Sequence, residues 1–234
     1  MVDPAKAGLL RALGRVVRGL SLVFWGLALT AVVYLRILQV ETAEAPGLQG
    51  FVRLAFLAAL VVSALIWAGL EQLHAFQSQE RIWRRALHRA QFLAVADTGL
   101  APFLFWWHRF PNVPLFAWSI ALLFLSSLGL LLQINGVLQR LSAMLPDETL
   151  RAETRLFTTF NISFLLLVLA GLAGFFLLSR VAYPPDIVQR GLEVLRAAGV
   201  WLALFMVLLP LAMTLALVWK IKEVIFTSLL TAER

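Results

Sequence analysis

Long apolar stretches separated by short charged segments run along the whole sequence. A transmembrane helix needs about 20 residues, because it rises about 1.5 Å per residue and the hydrocarbon core is about 30 Å thick. Stretches of about that length cover residues 19–38, 51–73, 115–137, 156–178 and 200–219. The pattern therefore predicts an all-α fold, a polytopic bundle of transmembrane helices.

The stretch from His88 to Pro114 determines how many times the chain crosses the membrane. It is too apolar for an ordinary loop, although Asp97, Gly99 and Pro102 interrupt its middle. If it crosses, the bundle has six spans, and 14 of the 20 Lys and Arg residues lie on the inner side, in agreement with the positive-inside rule. We therefore predict six spans with the N-terminus in the cytoplasm.

An alternative topology has five spans and a re-entrant or interfacial segment at about 92–108. Two physical costs favour this alternative. A straight helix over residues 92–107 would be only about 24 Å long, and an ionised Asp97 in lipid would cost about 3 kcal/mol. Packing against the other helices could offset both costs, so the six-span topology stays the preferred prediction.

The six-span topology describes a single membrane domain, residues 1–234, built from three helical hairpins at about 6–78, 79–139 and 140–222. A charged stretch precedes each hairpin. The first of these stretches, residues 6–18, places its arginines on one helix face and its leucines on another. This pattern predicts an amphipathic interfacial helix on the cytoplasmic side.

Residues 140–155 form the most polar segment of the chain. Within it, Asp147 and Arg151 are one helical turn apart in the stabilising acid-before-base order, and Pro146 suits a first helical turn. The segment therefore predicts a helix that begins near Pro146 and continues into the next span.

Composition supports this fold class and narrows the choice of partners. Hydrophobic residues make up 61% of the chain, charged residues 14%, and the mean hydropathy is +0.87, outside the range of water-soluble domains. The net charge of +7 comes from Lys and Arg beside apolar segments, which indicates contact with anionic lipid headgroups and not with nucleic acid. The chain has no cysteine, which excludes disulfides, thiolate metal sites and a cysteine nucleophile.

The densest positive cluster follows the second span. It contains Arg81, Arg84, Arg85 and Arg89. We expect this arginine cluster to be cytoplasmic and to contact lipid headgroups or a partner protein.

Asp97 is the only acidic residue well inside an apolar run. Buried carboxylates beside helix breaks bind ions or protons in coupled transporters, which makes Asp97 a candidate transport residue. The alternative, which we favour, is that Asp97 caps a short helix by accepting hydrogen bonds from backbone amides around Gly99.

A second set of polar residues lies near the cytoplasmic ends of two neighbouring spans. It consists of Gln133, Asn135, Thr158 and Asn161. Buried amides at matching depth tend to pair across membrane helices, and each bond contributes about 1 kcal/mol or less. We expect structural pairing here, with a solute-binding patch as the alternative.

Small residues recur in two of the predicted spans. Ala55, Ala59 and Ser63 repeat every four residues in the second span, and residues 170–174 are rich in alanine and glycine. Small side chains let neighbouring helices approach closely. Both stripes are therefore predicted to be helix contacts.

The sequence contains no motif that specifies a reaction. His74 and His88 are predicted on the cytoplasmic side and His108 on the outer side, and no pair has metal-ligand spacing. Ser126 and Ser127 lack a G-x-S-x-G context, and there is no P-loop or Gly-rich dinucleotide turn. We therefore expect no metal, no cofactor and no catalytic site.

These features predict a non-enzymatic membrane protein of a bacterial inner membrane, acting as an embedded subunit or scaffold of a larger complex or of a homo-oligomer. The alternative is a small-solute or lipid transporter. An amphipathic N-terminal helix followed by six spans resembles in outline the permease subunits of some ATP-driven exporters. In those subunits the loop after the second span docks a nucleotide-binding partner, so the resemblance implies that residues 77–91 contact a cytoplasmic ATPase.

Overall fold

The protein is built from α-helices. The computed structural model describes residues 4–42, 49–74, 76, 80–110, 112–145, 147–178, 205 and 207–227. The helices are α1 (Pro4–Thr42), α2 (Gln49–Leu73), α3 (Arg81–Leu100), α4 (Pro102–Arg109), α5 (Pro114–Met144), α6 (Glu148–Leu178) and α7 (residues 207–227). No β-strand occurs within these ranges, which confirms the predicted all-α class.

Three helices in the described ranges are long and apolar enough to cross a membrane. They are Arg11–Val33, Pro114–Met144 and Glu148–Gly171, and α2 adds a shorter apolar segment, Leu57–Leu73. Length and composition therefore support three of the six predicted spans. The described apolar part of α2 is too short, α3 carries too many charges, and the predicted last span begins outside the described residues. The division into three hairpin units stays a prediction.

Helix α1 is continuous over 39 residues. Residues 6–18, predicted as a short interfacial helix that leads into the first span, form the first turns of α1, and their location at the membrane interface stays a prediction. The amphipathic pattern itself is present. Arg15 and Arg18 are exposed, whereas Val16 is buried.

The stretch at residues 88–114 is almost entirely helical. Ala101, between α3 and α4, keeps helical dihedral angles of φ −53° and ψ −40°, and its N–H donates to the carbonyl of Asp97 at 2.9 Å. Pro102 begins α4, a position where the missing N–H of proline is tolerated. The interruption expected around Asp97 therefore falls at Ala101, and α4 follows α3 with hardly a break.

Helices α1 and α2 contact each other backbone to backbone. A Cβ atom added to Gly19 would lie 2.7 Å from the carbonyl oxygen of Gly69, and one added to Gly69 would lie 2.8 Å from the carbonyl oxygen of Gly19. Further along the pair, a Cβ on Gly26 would lie 2.6 Å from Cγ1 of Ile66. Only glycine fits at these three positions without a shift of neighbouring atoms, so the glycines set the spacing of the two helices.

The two small-residue stripes predicted as helix contacts do not form the close contact between α1 and α2. Ala59 and Ser63 are only half-buried, and the side chain of Ala55 is outside the described set. On α6, a Cβ added to Gly171 or Gly174 would meet nothing within 4 Å. The α2 face that packs on α1 is instead the one containing Ile66 and Gly69.

A single hydrophobic core joins α1, α2, α3, α5, α6 and α7. Its largest fully buried side chains include Leu20, Leu70, Trp83, Leu138, Leu165 and Ile221. Helix α7 closes the bundle against α1, where the rings of Phe24 and Trp219 lie 5.9 Å apart. It also contacts α6 through the ion pair of Lys220 with Glu153. The predicted end of the last span at Trp219 is not a helix end, since α7 continues to residue 227.

Side chains at the turn between α5 and α6 form hydrogen bonds with backbone groups at the end of α5 and at the start of α6. Asp147 Oδ1 accepts hydrogen bonds from the backbone N–H groups of Thr149 and Leu150, each at 3.0 Å, and so caps α6. Arg151 reaches back to α5 and donates to the carbonyls of Ala143 at 3.2 Å and Leu145 at 3.3 Å. The helix predicted to begin near Pro146 begins at Glu148. Asp147 and Arg151, predicted to stabilise this helix as a pair one turn apart, instead bond to the backbone at two different helix ends.

Among the residues whose side chains the structure describes, most exposed basic side chains lie at one end of the bundle, here called the basic end. The N-terminal parts of α1, α3 and α6 meet the C-terminal parts of α2, α5 and α7 there. Its exposed basic residues are Arg11, Arg15, Arg18, Arg81, Arg84, Arg85, Arg89, Arg140, Arg151, Arg155 and Lys220. Beyond the other end of α3 lies an aromatic cluster, in which the ring of Trp106 stacks on those of Phe110 and Phe116, and Phe103 lies against Phe116 at a tilt.

Candidate functional site

Asp97 is buried in the interface between α3 and α5, with 6% of its surface exposed. Ser127 Oγ donates to its Oδ2 at 3.0 Å. The neighbouring Ser126 also presents its buried hydroxyl to this carboxyl group, although neither that hydroxyl nor Asp97 Oδ1 makes a hydrogen bond of standard geometry with a described residue. The cap interpretation is wrong, because α4 begins without a side-chain cap and the carboxylate bonds to a serine of another helix.

A buried carboxylate is costly in an apolar environment. The cost of burying the carboxyl group is smaller when it carries a proton, because a protonated carboxyl can donate to a hydroxyl. The cost is also smaller when a cation lies beside it, because the two charges attract each other. The contact of Asp97 with Ser127 therefore has the chemistry of a proton or cation site as well as that of a structural link between α3 and α5.

Three helices meet at the hydroxyl of Thr214 on α7. The hydroxyl accepts hydrogen bonds from the side-chain amides of Asn135 on α5 and Asn161 on α6, each at 2.9 Å. It donates to the carbonyl of Pro210 at 2.8 Å. All three side chains are at most 1% exposed. The Thr214 cluster, made up of Asn135, Asn161 and Thr214, therefore uses each bonding position of the hydroxyl in the interior.

The structure brings two of the predicted amides together and separates the third. Asn135 and Asn161 share Thr214, whereas Gln133 faces α3 and lines a shallow groove there. The hydroxyl of Thr158, one turn before Asn161, is buried and has no hydrogen-bond partner among the residues that the structure describes. Thr214 was not singled out in the sequence, where it is one threonine in an apolar run four residues after Pro210.

A chain of polar side chains links α2 to α3 at the basic end. Gln91 Nε2 donates to Glu71 Oε2 at 2.6 Å, and His74 Nε2 lies 3.1 Å from Gln91 Oε1. Because that oxygen can only accept, His74 is the donor and carries its proton on Nε2. The rings of His74 and His88 lie 4.9 Å apart. No group of three His, Asp or Glu side chains within the described ranges has the geometry to hold a metal ion.

The arginine cluster lies on the outer face of α3. Arg81, Arg84, Arg85 and Arg89 are all exposed, while Trp83 of the same helix is fully buried. Arg89 lines the groove that also contains Gln133, and the other lining residues are His88, Phe92 and Leu93. The groove has a volume of about 370 Å³. A residue of the arginine cluster and one of the predicted amides lie together in this groove.

Comparison with known proteins gives no assignment: no protein-family model matches the chain, and no curated protein or solved structure is detectably similar to it.

Proposed function

We propose that this chain is a non-enzymatic integral membrane protein that serves as an embedded subunit or scaffold, in a larger complex or as a homo-oligomer. The carrying observation is the outward apolar surface of α5 and α6. Only 22% of the apolar segment of α5 and 28% of that of α6 is buried within the chain. Side chains such as Leu156 and Leu167, 70% and 63% exposed, need lipid or another protein around them.

The proposed topology has six crossings, with the N-terminus in the cytoplasm of a bacterial cell and the bundle in its inner membrane. Helices α3 and α4 together supply the third crossing. They extend over residues 81–109, about 43 Å at about 1.5 Å per residue, so the apolar residues 92–107 belong to a longer helical segment whose N-terminal arginines reach the headgroups. The positive-inside rule then puts the basic end in the cytoplasm, against anionic headgroups.

Labelling of single cysteines tests this topology, since the natural chain has none. Asn112 and Thr149 are both exposed and lie beyond opposite ends of the proposed spans. A membrane-impermeant thiol reagent should label Asn112→Cys in intact cells and Thr149→Cys only after lysis. Labelling of both variants only after lysis would reduce the topology to five spans or a re-entrant segment.

Cross-linking tests the subunit proposal. Leu167 is 63% exposed on α6, whereas Leu165, two residues away, is fully buried. We expect Leu167→Cys in native membranes to cross-link to a second copy or to another membrane protein, and Leu165→Cys to remain uncross-linked. Equal absence of cross-links from Leu167→Cys and from Trp25→Cys, on the exposed face of α1, would contradict the proposal.

A second candidate function is small-solute or lipid transport, as in an exporter permease that works with a cytoplasmic ATPase. The observation that favours it is the burial of the Asp97 carboxyl group between α3 and α5, beside the hydroxyls of Ser126 and Ser127. An ATPase would dock on residues 77–91, where Arg84 and Arg85 are exposed. Co-purification of a soluble ATPase in mild detergent, lost in an Arg84→Ala, Arg85→Ala variant, would support this candidate, and its absence from the wild-type preparation would count against the permease version.

A further inference from the structure

The groove between α3 and α5 combines a cationic rim with an apolar floor. Arg89 is exposed at the rim, and no described carboxylate forms an ion pair with it. Phe92, one turn further along α3, is 73% exposed. A large aromatic side chain in this position is stable next to acyl chains and unfavourable in water.

The apolar floor continues away from the basic end. Val95 is 55% exposed on the same face of α3 as Phe92, and Gly99 after it is exposed with nothing within 4 Å of an added Cβ. These residues lie at helical spacing, three to four apart, and so form one stripe. The stripe offers a path for a chain of methylene groups alongside the bundle.

The level of the groove suits a headgroup. Arg89 lies eight residues from the start of α3 and eight from Asp97, about 12 Å from each at about 1.5 Å per residue. Across the groove, Gln133 of α5 supplies a side-chain amide that can donate to a phosphate oxygen. In the proposed topology this level is the boundary between headgroups and acyl chains on the cytoplasmic side.

We propose that the groove is a binding site for one acidic phospholipid, whose phosphate contacts Arg89 and Gln133 and whose acyl chain follows Phe92 and Val95. The guanidinium group of arginine is suited to phosphate because it presents several N–H donors in one plane. The site deepens the proposed function and rests on it, since it requires that α3 lies in a bilayer.

Binding is tested by native mass spectrometry of the purified full chain, with phosphatidylglycerol and phosphatidylcholine of identical acyl chains as probes. We expect preferential retention of phosphatidylglycerol. Arg89→Ala should lower that retention about fivefold, which is the contribution of one basic residue near an anionic lipid. Arg84→Ala, which removes an exposed arginine outside the groove, should lower that retention clearly less than Arg89→Ala does.

Three results would overturn the site. The first is equal retention of both lipids, and the second is an equal loss of retention in Arg89→Ala and Arg84→Ala. The third is binding of glycerol phosphate as tight as that of phosphatidylglycerol, because this result would indicate a site for a free anion. Gln133→Leu provides a second variant, with a smaller expected loss and no change of charge. Membrane fractionation of the same variants keeps the two proposals distinguishable, because a chain that stays in the membrane without lipid preference refutes the site alone.

Discussion

At the scale of single residues, Thr214 is the polar side chain with the widest structural role. Its hydroxyl accepts hydrogen bonds from the amides of Asn135 and Asn161, so one oxygen atom links α5, α6 and α7. Other buried hydroxyls lack such partners, among them that of Thr158. Replacing each threonine by valine therefore compares the loss of a bonded hydroxyl with the loss of an unbonded one in the same protein.

Thr214→Val should destabilise the bundle, because it removes the acceptor of two amides and leaves both less satisfied in the interior. Two buried hydrogen bonds of this kind contribute about 1–3 kcal/mol together. The free energy of unfolding in detergent micelles or bicelles measures the loss. A value unchanged from wild type would mean that the amides find other partners.

Thr158→Val is the control, since it removes a buried hydroxyl that bonds to no described group. Valine has nearly the same shape as threonine, so the free energy of unfolding should stay within about 0.5 kcal/mol of wild type or rise. A loss as large as that of Thr214→Val would show that Thr158 has a partner of its own.

The sequence identifies the two asparagines of this cluster but not the residue that joins them. Asn135 and Asn161 stand out as amides in apolar runs. Thr214 does not, because a helical threonine usually bonds to the carbonyl four residues earlier, as it does here to Pro210. Which residues face each other depends on the register between helices, and local pattern contains no information on that register.

At the scale of secondary-structure elements, the glycine contacts of α1 and α2 set how closely two helices approach. Gly19→Ala should destabilise the protein by about 1–3 kcal/mol, because its Cβ would meet a backbone carbonyl that cannot rotate away. The free energy of unfolding is again the measurement. Gly14→Ala, on the same helix with nothing within 4 Å, should instead stabilise by up to about 1 kcal/mol through helix propensity. Equal effects of the two substitutions would contradict the close contact.

The start of α6 provides a prediction on pH. Hydrogen bonds from Thr149 and from the backbone of Leu150 hold the pKa of Asp147 below its ordinary value. A carboxyl whose pKa is lower in the folded state stabilises the protein above its unfolded pKa, about 3.9, and loses that contribution as the pH falls through the folded pKa. Asp147→Asn should therefore have a melting temperature that falls less than that of wild type between about pH 5 and pH 3.

Glu148→Gln is the matched control for this pH effect, since it removes the adjacent exposed carboxyl, for which the structure gives no hydrogen bond. This variant keeps the capping hydrogen bonds of Asp147, so its melting temperature should fall by more than that of Asp147→Asn across the same range. Wild type and Asp147→Asn falling in parallel would show that the cap does not depend on ionisation.

Helix positions were predictable where an apolar run was long and uniform, as in α5 and α6. The stretch at residues 88–114 was harder, because Asp97, Gly99 and Pro102 each disfavour a helix locally. Tertiary contacts outweigh those preferences, since α3 and α4 pack along α2 and α5. The small-residue stripe of α2 did not identify the face that packs on α1. Small side chains permit another helix to approach closely, but they do not specify which helix does so.

At the scale of the whole molecule, the basic and the aromatic residues in the described part of the chain concentrate at different ends of the bundle. Arginines cluster where α1, α3 and α6 begin, and stacked rings such as those of Trp106 and Phe116 lie where α4 ends and α5 begins. Basic residues on the cytoplasmic side and aromatic residues at an interface are the usual arrangement in membrane proteins. The sequence predicts this polarity because it depends on composition along the chain and not on contacts between helices.

The two candidate functions differ most clearly at Asp97. Asparagine has the same shape as aspartate, and its side-chain oxygen can still accept the hydrogen bond from Ser127, but it carries no titratable group. If the protein is a packing subunit, Asp97→Asn should keep the cross-linking yield of Leu167→Cys and the melting temperature of the parent. If it is a coupled transporter, the same substitution should abolish uptake, because no proton or cation can be held at that oxygen.

Proteoliposomes with wild-type and Asp97→Asn chains, compared over a set of radiolabelled solutes under an inward proton gradient, provide the second half of this test. We expect the two preparations to take up every solute equally, since an embedded scaffold needs the shape of this side chain and not its charge. A solute accumulated only by the wild-type chain would contradict the scaffold proposal and assign Asp97 to transport. Loss of cross-linking in Asp97→Asn would contradict it in another way, because the carboxylate would then be required for the assembly itself.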